Sequence, residues 1–152
     1  MVLDGRVAPR AVASFVELAR SGYWTHAPCD RLTTRLSPVS VLQCGNPVDR
    51  RSRFVGYTLS TENPPPGLLM RAGTVAMVTP GWDPERQQEF VIAYRDFTIA
   101  PPLEPPAVIG HVETGLDVVL HIARGGGEDG MSDWAPFINV SVLSVDVVPL
   151  PR

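Results

Sequence analysis

The sequence has no lysine, and all thirteen of its basic residues are arginine. Sixteen acidic residues outnumber them and give a formal net charge of -3, so the chain lacks the basic surface typical of nucleic-acid-binding proteins. It has no long uncharged apolar run, which excludes a transmembrane helix. It also has no basic N-terminal segment leading into an apolar one, which would indicate a secretion signal. We therefore expect a cytoplasmic protein that binds neither nucleic acid nor membrane.

Cysteine is scarce as well, with only Cys29 and Cys44. Paired thiols in a cytoplasmic protein are usually reduced, so we expect both to be free and buried. No other residue has metal-ligand spacing relative to them, and we expect no metal and no cofactor. The cluster Arg50, Arg51 and Arg53 is interpreted as a solvated loop.

A chain of 152 residues is the usual length of one domain, and we expect a single domain over residues 1–152. Helical spacing of apolar residues predicts a first helix over Pro9–Ser21 and a second helix, capped by Thr114, that runs to about Ala123. The remaining patterns predict strands, separated by a loop at Pro80–Gln88 that holds Trp82. The predicted strands are Met1–Asp4, Gly56–Ser60, Thr74–Val78, Phe90–Tyr94, Val108–Val112 and Ile138–Val148.

The most informative stretch is Pro28–Pro47. Two short apolar runs, Leu32–Leu36 and Val39–Leu42, alternate with polar residues around a turn at Pro38 and are typical of paired strands. Arg31 begins the first run and Gln43 ends the second. If the strands pair, a guanidinium and an amide come close together on one face of the sheet.

This stretch and four others carry a resemblance to the cyclophilin family of peptidyl-prolyl isomerases. The motifs C-D-R-L and Q-C-G-N-P resemble the segments that mark the active face of that family. Further similarity, in the same order, follows in G-T-V-A-M from Gly73, E-F-V-I from Glu89, V-I-G-H-V from Val108 and G-L-D-V-V from Gly115. The similarity extends over nearly the whole chain from Ala8 onward.

The resemblance implies a mainly β fold, a closed antiparallel β-barrel capped by two α-helices. The first strand of the family is missing or truncated here, because the chain begins with only the fragment Met1–Asp4. Either the true start of the protein lies upstream, or the barrel leaves an unpaired edge, and such an edge invites pairing with another chain. A homodimer across this edge is therefore a hypothesis.

The resemblance also implies candidate catalytic residues. Arg31 matches the arginine that acts on the prolyl bond, and Gln43 matches the glutamine that holds it. Glu89 stands where the family has glutamine, and Asp30 stands where it has histidine. If Glu89 pairs with Arg31, it holds the guanidinium in a bidentate fork, whereas a one-residue loop insertion would put Gln88 at this position instead. Two roles stay open for Asp30 and Glu89: they act as a general acid or base, or they are solvated or only anchor Arg31.

The proline pocket matches the family less well, since Ser40, Val41, Val91 and Pro102 replace large side chains. We expect a wider pocket that holds a proline ring poorly. The candidate substrate-binding residues are Gln43, Val41, Ser40, Val78, Val91, Phe90, Pro102, Leu103 and Trp82.

Three functions follow from this pattern. The first is an isomerase acting on proline-containing peptides. The second is a scaffold repurposed as a cofactor-free cyclase or rearrangement catalyst for an apolar small molecule in secondary metabolism. The third is a binder of peptides or proteins without catalysis. The sequence leaves these open, because fold does not fix function.

Overall fold

The computed structural model describes residues 1–34, 36–47, 56–127 and 133–150. The cluster Arg50, Arg51 and Arg53 lies outside the described residues. Two helices and eleven short strands are present in the described part. In chain order they are β1 (Val2–Leu3), α1 (Pro9–Arg20), β2 (Ala27–Pro28), β3 (Arg31–Thr33), β4 (Val41–Cys44), β5 (Leu69–Met70), β6 (Thr74–Met77), β7 (Phe90–Ala93), β8 (Phe97–Thr98), β9 (Ala107–His111), α2 (Leu116–Gly125), β10 (Asp133–Trp134) and β11 (Ser141–Val142).

The strands form one large sheet and two small ones. Seven strands pair in the order β1-β9-β6-β7-β4-β3-β10, while β11 pairs with β2 and β5 pairs with β8. Every pairing is antiparallel. The predicted mainly β antiparallel fold with two helices is confirmed. The edges of the large sheet in the described part are β1 and β10.

Strand β1 is short, as predicted, and has two residues. It pairs with β9 on one side and is the edge of the sheet on the other. An edge strand presents unpaired backbone groups, which is the physical basis of the homodimer hypothesis. That homodimer stays a prediction.

Helix α1 begins at Pro9, where a residue without an N–H costs no helical hydrogen bond. Its buried face carries Ala11, Phe15 and Leu18. The Phe15 ring lies 4.6 Å from that of Trp24 and 5.7 Å from that of Phe90, so the helix is docked by aromatic contacts onto β7. Neither α1 nor α2 is long and apolar enough to cross a membrane, and the described residues contain no other candidate span.

Strand alternation divides the core between the two faces of the large sheet. Leu42, Cys44 and Phe90 point to the face covered by the helices. Val41 and Val91, one position along in the same strands, point to the opposite face with Trp82. The second face is the one that carries Gln43, because Gln43 is two residues from Val41.

Three secondary-structure predictions were wrong. Residues 56–60 form no strand. The predicted strand over Ile138–Val148 is reduced to β11, which pairs with the equally short β2. Thr114 does not cap α2, since Gly115, at a φ of 89°, is the residue that precedes the helix.

The prediction of free thiols was also wrong, because Cys29 and Cys44 form a disulfide. The cause is the register of the β3–β4 pair, in which Arg31 lies opposite Gln43. In that register Asp30 lies opposite Cys44, so the open end of the hairpin brings Cys29 within one position of Cys44. Gly45 N–H, donating to the Pro28 carbonyl at 3.1 Å, fixes the same end.

We expect this disulfide to contribute about 3 kcal/mol to the free energy of unfolding, because it closes a loop with a sequence separation of 15. Urea unfolding with and without dithiothreitol measures the difference. The control is the Cys29→Ala/Cys44→Ala double variant, whose stability should not respond to dithiothreitol. An identical midpoint for the wild-type protein in both buffers would contradict the prediction.

Candidate active site

Strands β3 and β4 bring the two central residues of the site together. Arg31 pairs directly with Gln43 across the antiparallel ladder. The Arg31 guanidinium donates from Nη1 to Gln43 Oε1 at 3.1 Å. The prediction that these strands pair and place an arginine beside an amide is confirmed. The catalytic roles of both residues stay predictions.

A carboxylate that the sequence analysis did not identify holds most of the Arg31 guanidinium. Asp133, at the start of β10, accepts from Nε and from Nη2, both at 2.8 Å. Asp83, in the loop before β7, accepts from Nη1 at 3.3 Å. The hydrogen bonds with Asp133 are the largest cause that raises the pKa of Arg31 above its ordinary value. Arg31 is therefore a fixed positive charge at any pH of interest.

Glu89 does not hold Arg31, and that prediction was wrong. Its Oε2 accepts from Gln43 Nε2 at 3.0 Å, while Gln43 Oε1 also accepts from Trp82 Nε1 at 3.4 Å. Gln43 therefore stands between Arg31 and Glu89 and is hydrogen-bonded at both ends of its amide. The physical reason is that Asp133 already takes the edge of the guanidinium that suits a carboxylate fork.

Burial raises the pKa of Glu89 from its ordinary value of 4.5 to about 7. The hydrogen bond from Gln43 and the positive charge of Arg86, whose Nη1 lies 3.7 Å from Oε2, act in the opposite direction but do not offset it. The Glu89 carboxyl is thus protonated in a sizeable fraction of molecules at neutral pH. It is the described residue of this site best suited to exchange a proton near pH 7.

Asp30 lies apart from Arg31 and pairs with Arg86. Arg86 Nη1 donates to Asp30 Oδ1 at 2.5 Å, and Asn46 Nδ2 donates to Oδ2 at 2.6 Å. Arg86 therefore lies between Asp30 and Glu89. Arg86 and Asp83 lie in the same loop as Trp82, which the sequence analysis selected as a candidate. The charged residues of that loop were the sequence signal that could have identified Arg86 and Asp83 as part of the site. No signal in the sequence pointed to Asp133, which is 102 residues from Arg31.

The structure brings together five of the predicted apolar residues. Val41, Val78 and Val91 are fully buried, and Trp82 is nearly so. Leu103 is half-buried and packs against the same cluster. This cluster lies on the sheet face that carries Gln43, and we call it the aliphatic floor. The roles of its members in substrate binding stay predictions.

Three other predicted residues lie elsewhere. Phe90 faces the helices and stacks edge-on against Trp24, with ring centroids 5.1 Å apart. Ser40 also lies on the opposite face, where its Oγ accepts from Arg95 Nη2 at 3.3 Å. Pro102 is exposed. Phe90 and Ser40 thus do not share a face with Val41 and Val91 as predicted, because neighbouring residues along an extended chain point to opposite faces.

The described residues include no group of three or more His, Cys, Asp or Glu arranged to hold a metal ion.

A comparison with family models decides the family. The model for "Cyclophilin type peptidyl-prolyl cis-trans isomerase/CLD" matches residues 1–147. The chain belongs to the cyclophilin family.

Curated proteins that it resembles include the probable peptidyl-prolyl cis-trans isomerase B of two Mycobacterium tuberculosis strains, CDC 1551/Oshkosh and ATCC 25618/H37Rv. Each is 33% identical over 158 residues, covering 95% of this chain and 49% of the relative. The chain thus spans about half the length of the curated relatives it matches.

Solved cyclophilin structures share the fold. A cyclophilin-type peptidyl-prolyl cis-trans isomerase of Cryptosporidium parvum superposes with a TM-score of 0.70 at 16% identity, covering 98% of this chain and 90% of that one. The same protein in the presence of the dipeptide Ala-Pro gives a TM-score of 0.60 at 16% identity, covering 93% and 90%. Identities this low support the fold alone.

The raised pKa of Glu89 predicts a pH-dependent cost to stability. The folded state keeps a proton that the unfolded state releases above pH 4.5, so the stability contributed by Glu89 falls as pH rises from 4.5 to about 7. Glu89→Gln removes this cost. We expect the variant to be more stable than wild type above pH 7, by up to roughly 3 kcal/mol, and to differ little at pH 4.5.

Urea unfolding at pH 4.5, 6 and 8 measures this difference. The exposed Glu85, in the same loop, provides the surface control Glu85→Gln. A gap between Glu89→Gln and wild type that stays constant across the three pH values would exclude titration of Glu89 in this range.

Proposed function

We propose that this chain catalyses cis–trans isomerisation of peptide bonds that precede proline. The observation that carries the proposal is the contact between Arg31 and Gln43, in which a permanently charged guanidinium is held at 3.1 Å by a fully buried amide. Membership of the cyclophilin family supports it. The proposed substrate is a proline-containing peptide, as the Ala-Pro dipeptide with the Cryptosporidium structure suggests for that protein.

Isomerisation of a prolyl bond requires few catalytic groups. Rotation about the prolyl bond is slow because amide resonance imposes a barrier of about 18–20 kcal/mol. A donor aimed at the prolyl nitrogen stabilises the twisted state, in which the nitrogen lone pair is no longer shared with the carbonyl. The Arg31 guanidinium supplies a charged donor whose orientation is fixed by Gln43.

In our proposal, the proline-binding region beside Arg31 differs from that of a typical cyclophilin. Val41 and Val91 of the aliphatic floor stand where the family has large side chains. Trp82 remains as an aromatic residue, and its Nε1 holds Gln43 in place at 3.4 Å. Val41 and Val91 are both fully buried, so they leave little apolar surface for a proline ring to contact beside Arg31. We therefore propose weak binding of proline.

A second candidate function is binding of an apolar small molecule, and one observation favours it. A cavity of about 750 Å³ lies between the two helices, the large sheet and the C-terminal segment. Its walls are mostly apolar and include Val16 of α1, Val118 of α2 and Val145. Its size lies within the range of ligand pockets. This cavity is on the helix side of the sheet, away from Arg31, so a cyclase there would not use the arginine.

We expect Arg31→Ala to lower kcat/KM for prolyl isomerisation by about 100-fold or more, the usual loss when a preorganised charged donor is removed. A protease-coupled assay on an Ala-Pro peptide measures it. The control is Arg71→Ala, since Arg71 is exposed and pairs only at 3.5 Å with Asp96, remote from the site. Glu89→Gln restores the family residue and should retain activity.

No activity above background in the wild-type protein would contradict the proposed function. Peptide binding that persists without isomerisation, and survives Arg31→Ala, would indicate a binder instead of an enzyme. Activity that survives Arg31→Ala would assign the catalysis to other groups.

For the second candidate, we expect the neutral apolar dye Nile red to bind with a stoichiometry of one and to raise the Tm. Saturation at 100 times Kd corresponds to about 2.7 kcal/mol. The matched variant is Val16→Glu, which places a charge in the cavity wall and should abolish the shift, while Arg31→Ala should leave it unchanged. Dye binding that is unaffected by Val16→Glu would exclude this cavity as the site.

A further inference from the structure

We infer that Asp133 is an internal ligand of Arg31, which a substrate must displace before the arginine can act. The inference rests on the proposed function of the same site. It assigns to the short strand β10 a role in controlling access to the catalytic arginine.

The first step is the count of donors on Arg31. A guanidinium has five N–H groups. Two of them donate to Asp133, from Nε and Nη2 at 2.8 Å, and the two on Nη1 donate to Gln43 at 3.1 Å and to Asp83 at 3.3 Å. One N–H, on Nη2, is left for a substrate. The arginine therefore cannot offer a pair of donors to a peptide carbonyl in this arrangement.

The second step is to ask which acceptor can leave. Gln43 is fully buried and is hydrogen-bonded by Trp82 and Glu89 as well, so its departure would leave several buried groups unpaired. The Asp83 side chain is 18% exposed, whereas the Asp133 side chain is 40% exposed and solvates readily. Asp133 is thus the acceptor whose release costs least.

The third step is how the element that carries Asp133 is held in the sheet. Strand β10 has two residues and is the outermost strand of the large sheet. Its only strand partner in the described part is β3, with Asp133 opposite Thr33 and Trp134 opposite Leu32. Trp134 is half exposed, at 52% of its surface, so only about half of it is packed against other residues. A contact of this kind opens locally at low free-energy cost.

These steps predict competition between Asp133 and the substrate for one edge of Arg31. A half-exposed ion pair is worth little, so its removal should raise kcat/KM by between about two- and fivefold. A residue that only positions Arg31 would have the opposite effect, because its loss would disorder the guanidinium and lower kcat/KM. The direction of the change therefore separates the two roles.

The test uses Asp133→Asn, which keeps the size of the side chain and removes its charge. The first measurement is the rate at which phenylglyoxal modifies Arg31, followed by peptide mass spectrometry so that each arginine is scored separately. The second is kcat/KM on the Ala-Pro peptide. The matched control is Asp96→Asn, which releases the exposed Arg71 far from the site. Asp133→Ser provides a second variant, and circular dichroism checks that both are folded.

We expect modification of Arg31 to accelerate severalfold in both Asp133 variants, kcat/KM to rise, and Asp96→Asn to change neither. An unchanged modification rate, or a fall in kcat/KM, would overturn the inference. Faster modification of Arg31 with no isomerisation by any of the proteins would reject the proposed function while it supports the closure of Arg31 by Asp133.

Discussion

The antiparallel register of β3 and β4, which places Arg31 opposite Gln43, is the constraint on which the site depends. A slip of one residue would turn Gln43 toward the helices and replace it with Leu42 or Cys44. The neighbouring strand supports the register, since Gln43 is also opposite Val91 of β7. Gly45 closes the end of β4 at a φ of 103°, where a Cβ would lie 2.7 Å from Trp24 Nε1. A glycine is therefore required there both by backbone conformation and by space.

The sequence predicted the contact between Arg31 and Gln43 because it is local, with a sequence separation of 12 within one hairpin. Asp133 lies 102 residues from Arg31, and only the pairing of β10 with β3 brings it into the site. A two-residue strand has no periodicity to detect. The fork between Glu89 and Arg31 does not form for the same reason. The competing carboxylate, Asp133, is far from both residues in the sequence and could not be inferred from neighbouring residues.

Two further errors had physical causes that the sequence did contain. Ser40 and Val41 are neighbours in one strand, as are Phe90 and Val91, so only one residue of each pair can face the aliphatic floor. Strand alternation selects the valines once Gln43 fixes the face. The cysteines were judged by the expected compartment, whereas the hairpin that pairs Arg31 with Gln43 already brings Cys29 within one position of Cys44.

The hydrogen bonds around Arg31 divide the site into a rigid part and a displaceable part. The Gln43 amide is an acceptor of Arg31 Nη1, and both of its ends are hydrogen-bonded. Its Oε1 accepts from Arg31 and Trp82, and its Nε2 donates to Glu89. A flip of that amide would lose all three contacts, so the Nη1 side is fixed by buried groups. On the Nε side, the acceptor is a half-exposed carboxylate on an edge strand. An arginine held in this way keeps its position when one acceptor is exchanged for another, which is the condition for binding a substrate without losing orientation.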